Sequence, residues 1–83
     1  MNTKGVPQGF QVDIGFPDEF SDFIAEIGYE GTFICLISQE RGPDKPDITF
    51  NDPSMNIKEV KFGLHEFQET VTYALRRLYE LRK

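Results

Sequence analysis

The sequence predicts an α+β fold: an antiparallel meander of four to five strands with one carboxy-terminal amphipathic helix packed on one face. Three observations support this prediction. Apolar and polar residues alternate with a period of two at residues 10–16, two β-like runs follow within residues 23–39, and the period changes to 3.6 from residue 64. Because 83 residues hold only one hydrophobic core, we expect a single domain at residues 9–83 after a flexible polar tail at residues 1–8.

Proline, glycine and polar turns separate the predicted strands, which span residues 10–16, 23–28, 32–39, 47–50 and 57–62. Pro17 stops the first of them. Tyr29-Glu30-Gly31, between the second and third, suits a three-residue hairpin loop with the glycine in the left-handed region. A loop of this kind pairs positions whose numbers sum to about 60.

This pairing decides which side chains of the hairpin face the helix. Three apolar pairs lie on the helix side, namely Ile27 with Phe33, Ala25 with Cys35, and Phe23 with Ile37. Ile24, Ile34 and Leu36 then point away from the helix, beside Glu26. Since the open face of such a sheet is usually polar, this apolar cluster predicts a contact surface. The alternative is that the amino-terminal tail covers the strand or that the sheet curls enough to bury both sides.

From residue 64 the apolar residues occupy one arc of a helical wheel about 160° wide. They are Leu64, Phe67, Val71, Ala74, Leu75, Leu78 and Leu81. Gly63 suits the N-cap, and Glu66 stands near the positive end of the helix dipole. Tyr73 lies on the opposite, solvent-facing arc, where an aromatic residue is a candidate anchor for a partner protein.

The formal net charge of −5 is unevenly distributed. Residues 1–30 hold six acids against Lys4 alone, whereas residues 31–83 hold eight acids and eight bases. An acidic chain argues against binding to nucleic acid or to an anionic membrane surface. The first seven residues contain no hydrophobic stretch typical of a signal peptide, and the longest apolar run, Phe33–Ile37, is too short to span a membrane. We therefore expect a cytoplasmic protein.

No group of residues in the sequence indicates catalysis, a cofactor or a metal site. His65 and Cys35 are the only residues of their types, too few for a structural zinc site or an internal disulfide. By its place in the strand pattern, Cys35 points into the core, where thiols are inert. The carboxylates lack the spacing of a calcium-binding loop, and no glycine-rich phosphate loop follows a strand. The sequence therefore predicts a protein that is not an enzyme.

The loop from Arg41 to Asp47 is the most distinctive segment. Its two prolines and mixed charges, with Arg41 and Asp44 among them, fit a docking tip and a plain connection equally well. The run Ile37-Ser38-Gln39-Glu40-Arg41-Gly42-Pro43-Asp44, followed by Asp47-Ile48-Thr49-Phe50, resembles small uncharacterised bacterial proteins, some of which look like toxin-neutralising immunity proteins. The resemblance covers residues 22–72. It implies a non-enzymatic inhibitor that binds its partner stoichiometrically, and acidic immunity proteins often meet basic toxins.

Three functional hypotheses follow, each with its own discriminating feature. The first is a protein-binding module of the inhibitor or immunity type, whose partner is another protein. The second is a homodimeric structural or accessory domain joined through Ile24, Ile34 and Leu36, which self-association would favour. The third is a phage-type inhibitor that mimics the charge of nucleic acid, which needs acids lined along one surface at phosphate-like spacing.

Overall fold

The computed structural model describes residues 5–50 and 60–81, which form an antiparallel sheet and one helix. The elements are β1 (Phe10–Gly15), β2 (Ile24–Tyr29), β3 (Thr32–Ser38), β4 (Asp47–Phe50) and α1 (Leu64–Leu81). Each strand pairs with the next along the chain, so the sheet order is β1-β2-β3-β4. Helix α1 packs on one face of the sheet, over β1 and β2. This architecture confirms the predicted α+β class.

The fifth predicted strand, at residues 57–62, is not a strand where the structure describes it. Residues 57–59 lie outside the described residues, and residues 60–62 belong to no strand. Val60 and Phe62 instead pack against the core. The Phe62 ring centroid lies 5.4 Å from those of both Phe10 and Tyr29, which closes the core at one end of β1 and β2. Of the predicted tail, residues 1–4 lie outside the described part, while Val6 packs against the core.

The loop joining β2 to β3 has two residues rather than the three that we predicted. Glu30 and Gly31 have φ values of 49° and 85°, and Tyr29 pairs with Thr32 across them. Two consecutive residues with positive φ define the type I′ turn, whose twist matches that of the flanking strands. Glycine accepts this conformation without strain, and the backbone N–H of Glu30 is held by the carbonyl oxygen of Gly9 at 2.8 Å.

A β-bulge follows this turn, and the register predicted for the hairpin is therefore wrong. Gly28 pairs with Phe33 and Ile27 pairs with Cys35, so that Ile34 is the extra residue on β3. With a two-residue loop and no bulge, Ile34 would lie opposite Ile27, and Cys35 would lie opposite Glu26 on the face away from α1. The bulge instead sets Cys35 opposite Ile27 and Ile37 opposite Ala25, so that Ile34 and Cys35 both join the core.

Helix α1 is rotated relative to the orientation that its apolar arc predicts. Its most buried residues are Thr70, Ala74 and Leu78, whereas three predicted core residues are exposed: Leu64, Leu75 and Leu81. The small side chains of Thr70 and Ala74 allow the helix to approach the sheet closely. The Thr70 hydroxyl donates to the Glu66 carbonyl oxygen at 2.8 Å, which satisfies this buried polar group. Within the described residues, no helix has the length and apolarity needed to cross a membrane.

Candidate functional site

The apolar cluster predicted at Ile24, Ile34 and Leu36 does not form an exposed patch. Ile34 is only 8% exposed because the bulge turns it into the core, and Ile24 is only 2% exposed. Leu36 is half-buried and lies opposite Glu26, rather than opposite Ile24 as predicted. Of this group, only Glu26 is an exposed residue.

The sheet face turned away from α1 carries a different set of side chains, which we call the outer-face cluster: Asp13, Glu26, Phe33 and Leu36. Asp13 lies directly opposite Glu26 in the β1–β2 ladder, and Glu26 lies opposite Leu36 in the β2–β3 ladder. Like charges facing each other across two strands destabilise a sheet by about 0.2–1 kcal/mol. This pairing is therefore unfavourable for the isolated domain.

Phe33 owes its position beside these carboxylates to the two-residue turn, which sets it opposite Gly28 on the face away from α1. It is 39% exposed and, with Asp13 and Glu26, lines an open depression of about 210 Å³. The remaining lining residues are Gln11, Ile27, Gly28, Gly31 and Thr32. A Cβ at Gly28 would stand 3.2 Å from the Thr32 carbonyl oxygen and 3.5 Å from Gln11 Cγ, so glycine keeps this floor open. The arrangement offers a cationic side chain two carboxylates and an aromatic ring.

Sequence reasoning missed Asp13 and Phe33 as site residues because strict alternation along β3 assigns Phe33 to the helix side. The dipeptide Glu30-Gly31 carried the signal that would have found them. Glycine at the second position of a two-residue loop suits a type I′ turn, and that turn sets Phe33 opposite Gly28 on the face away from α1.

The two charged loop residues singled out from the sequence, Arg41 and Asp44, do not line the outer-face depression. Arg41 makes a bidentate pair with Asp47, at 2.9 Å from Nε to Oδ2 and 2.7 Å from Nη2 to Oδ1. These hydrogen bonds lower the pKa of the Asp47 carboxyl and raise that of the Arg41 guanidinium. Arg41 thus neutralises the charged residue at the start of β4, while Asp44 is exposed on the same loop.

Tyr73 is half-buried and packs against the core, so its predicted place on the solvent face is wrong. The Gly5 segment lies against its ring, since a Cβ at Gly5 would be 3.6 Å from Tyr73 Cε1. The Arg76 guanidinium carbon lies 6.0 Å from the centroid of the Tyr73 ring. The sequence pattern could not anticipate this because the rotation of α1 depends on how closely its small residues approach the sheet.

Cys35 and His65 lie in different environments, since the first is buried and the second is exposed. Cys35 is fully buried, and burial raises the pKa of its thiol from 9.0 to about 11, which suppresses the reactive thiolate. His65 is exposed in the first turn of α1. Across residues 5–50 and 60–81, no three His, Cys, Asp or Glu side chains are grouped to hold a metal ion.

Compared with protein-family models, with curated proteins and with solved structures, the chain shows no match. Its function is therefore argued from the outer-face cluster itself.

Proposed function

We propose that this chain is a non-enzymatic protein-binding module of the inhibitor or immunity type, which binds a basic protein partner stoichiometrically through the outer-face cluster. One observation carries the proposal: the two-residue turn places Phe33 opposite Gly28, beside two carboxylates that face each other across the β1–β2 ladder. This like-charge pair is unfavourable in the free domain. A cationic partner residue compensates for it, since it neutralises Asp13 and Glu26 while it packs against the Phe33 ring.

The distribution of charge favours a basic partner. The net charge of −5 arises from residues 1–30, which include β1 and β2 and therefore both carboxylates of the cluster. A negative surface steers a positively charged protein toward this face and raises its association rate. A mimic of nucleic acid would need acids in a row, whereas the described residues give this face a single opposed pair, Asp13 and Glu26.

The test uses Glu26→Arg, a substitution at an exposed position. It converts the repulsion with Asp13 into an attraction, so the variant should fold at least as stably as the wild type. Tagged wild type and variant are incubated with lysate of the native host, and retained proteins are identified by mass spectrometry. We expect the wild type to retain a basic protein stoichiometrically and Glu26→Arg to lose it. Phe33→Ala should weaken the same interaction.

Glu69→Arg serves as the matched control because it makes the same charge reversal at an exposed position on α1, on the other side of the sheet from the outer face. It should retain the same partner. Calorimetric titration with the purified partner should then give one site per chain, with an affinity that falls as salt is added. Equal retention of the partner by wild type and Glu26→Arg would refute the assignment of this face, and capture of nothing by the wild type would refute the binding function.

A further inference from the structure

The outer-face depression is lined by polar side chains that accept hydrogen bonds. They include the carboxylates of Asp13 and Glu26 and the amide of Gln11, and the described residues that line the depression include no lysine or arginine. In the described part of the chain, one ion pair joins the β3–β4 loop to β4 and the other lies within α1, so neither Asp13 nor Glu26 is neutralised by one. The depression therefore suits a cation that donates several hydrogen bonds.

The two carboxylates are held at a spacing that a planar, forked cation can bridge. Asp13 and Glu26 are direct neighbours in the β1–β2 ladder. Side chains in such a pair have their Cβ atoms about 4.5–5.5 Å apart on one face of the sheet. A guanidinium presents five N–H donors in one plane and can donate to both carboxylates at once. A lysine ammonium is a compact charge with three donors, so it offers no such fork.

The rest of the depression favours the same planar group. Phe33 supplies an aromatic ring, and a guanidinium stacks on an aromatic face more readily than an ammonium because it is flat and more weakly hydrated. Gly28 and Gly31 also line the depression, and neither has a side chain that would obstruct a flat group. The depression measures about 210 Å³. Sites for drug-sized ligands measure roughly 300–1,000 Å³, so this one fits a single side chain of a partner better than a free small molecule.

We infer, on the basis of the proposed function, that the outer-face cluster selects arginine over lysine in its basic partner. The guanidinium of one partner arginine bridges Asp13 and Glu26 and stacks on Phe33. Replacement of that arginine by lysine is therefore not conservative. Methylation of the same arginine keeps its charge but blocks donors of the fork, so it also weakens the contact.

The experiment titrates single amino acids into the isotope-labelled protein at constant ionic strength and follows binding by NMR. The probes are the Nα-acetyl amides of arginine, of lysine and of citrulline, which has the shape of arginine without its charge. Arginine should shift the backbone amide signals of Gly28, Gly31 and Phe33 in a saturable way. Lysine should bind roughly 2–12-fold more weakly, the effect of one hydrogen bond lost, and citrulline more weakly than arginine because it is neutral.

Two variants separate the contribution of the ring from that of the charge. Phe33→Leu keeps an apolar side chain but removes the ring, so the affinities for arginine and lysine should become more similar. Glu26→Gln removes one of the two carboxylates at an exposed position and should weaken the binding of both probes, arginine the more. Glu69→Gln makes the same change at an exposed position on α1 and should bind both probes as wild type does. Circular dichroism should show that all three variants fold.

The titration can fail separately from the proposed function. Equal affinity of the wild type for arginine and lysine would mean that the face recognises positive charge alone, which overturns the selection of arginine but leaves a basic partner possible. Shifts confined to α1, or no shift of Gly28, Gly31 and Phe33 at the highest soluble concentration of arginine, would also overturn it. Arginine-selective shifts without capture of any protein from lysate would support the arginine site and refute the protein-binding function.

Discussion

The outer-face cluster and the β4–α1 groove lie on opposite sides of the same small sheet, and they are exposed for different physical reasons. The groove lies between β4 and α1 and is lined by Ile37, Pro46, Asp47, Ile48, Val71 and Leu75. The two-residue turn between β2 and β3 creates the cluster by setting Phe33 outward beside Asp13 and Glu26. The position of α1 over β1 and β2 creates the groove by leaving the helix side of β4 uncovered. One surface is charged and the other is neutral. The comparison teaches that a single helix on a four-stranded sheet leaves two chemically unlike surfaces exposed.

The two surfaces should respond to salt in opposite ways. Attraction between the outer-face carboxylates and a basic partner is screened as ionic strength rises. Burial of apolar side chains in the groove is strengthened by salts such as sulfate, which are excluded from the protein surface. Salt dependence therefore distinguishes a charged contact at the outer face from an apolar contact at the groove, without any mutation.

The largest effect on stability is expected at the bulge in β3, where neighbouring residues differ in the face of the sheet on which they lie. Ile34→Ala should lower the free energy of unfolding by about 2–5 kcal/mol, because it empties a buried position in the core. Phe33→Ala, one residue earlier, should cost less than Ile34→Ala, since 39% of the Phe33 side chain is already exposed to water. Chemical denaturation of both variants measures this difference.

The same pair of variants also tests the alternative register. In the register predicted from the sequence, with a three-residue loop and no bulge, Phe33 lies on the helix side and Ile34 on the outer face, and the order of the two effects is reversed. A larger loss in Phe33→Ala than in Ile34→Ala would therefore remove the structural basis of the outer-face cluster.

This hairpin also shows how much of the fold can be predicted from the sequence alone. The alternation of β1 and the 3.6 period of α1 follow from side-chain burial along a single element, so both elements were predictable. The bulge and the rotation of α1 depend on how two elements fit together. Thr70 illustrates this. A hydroxyl residue counts as polar in a sequence pattern, but Thr70 can be fully buried because its hydroxyl donates to the Glu66 carbonyl oxygen. Both candidate surfaces result from the way in which neighbouring elements pack together.

A smaller effect is expected from variants that remove the repulsion between Asp13 and Glu26 on the outer face. Asp13→Asn removes one of the two opposed charges and should raise the free energy of unfolding by about 0.2–1 kcal/mol. That corresponds to a rise of roughly 1–8 °C in the melting temperature of a domain of this size. The gain should shrink as salt is added, because the repulsion is screened.

Glu26→Gln should give a similar gain, and the double variant little more, because the repulsion can be removed only once. Asp18→Asn is the matched control, since Asp18 is an exposed acid in the turn after β1. An equal gain in Asp18→Asn would indicate a general effect of net charge, and it would contradict a specific clash between Asp13 and Glu26.

The smallest effect concerns Asp47, the one charged residue in the strand beside the groove. Hydrogen bonds from Arg41 lower its pKa below the ordinary value of 3.8, so the pair stabilises the folded state at neutral pH. That contribution is lost as the pH falls through the lowered pKa and the carboxyl is protonated. Asp47→Asn should therefore melt slightly below wild type at pH 7 and together with it in stronger acid. Thermal unfolding over this range, with Asp44→Asn as the control, measures the difference. Identical melting of wild type and Asp47→Asn at neutral pH would mean that the exposed pair adds no stability, so that its effect at the groove is limited to neutralising charge.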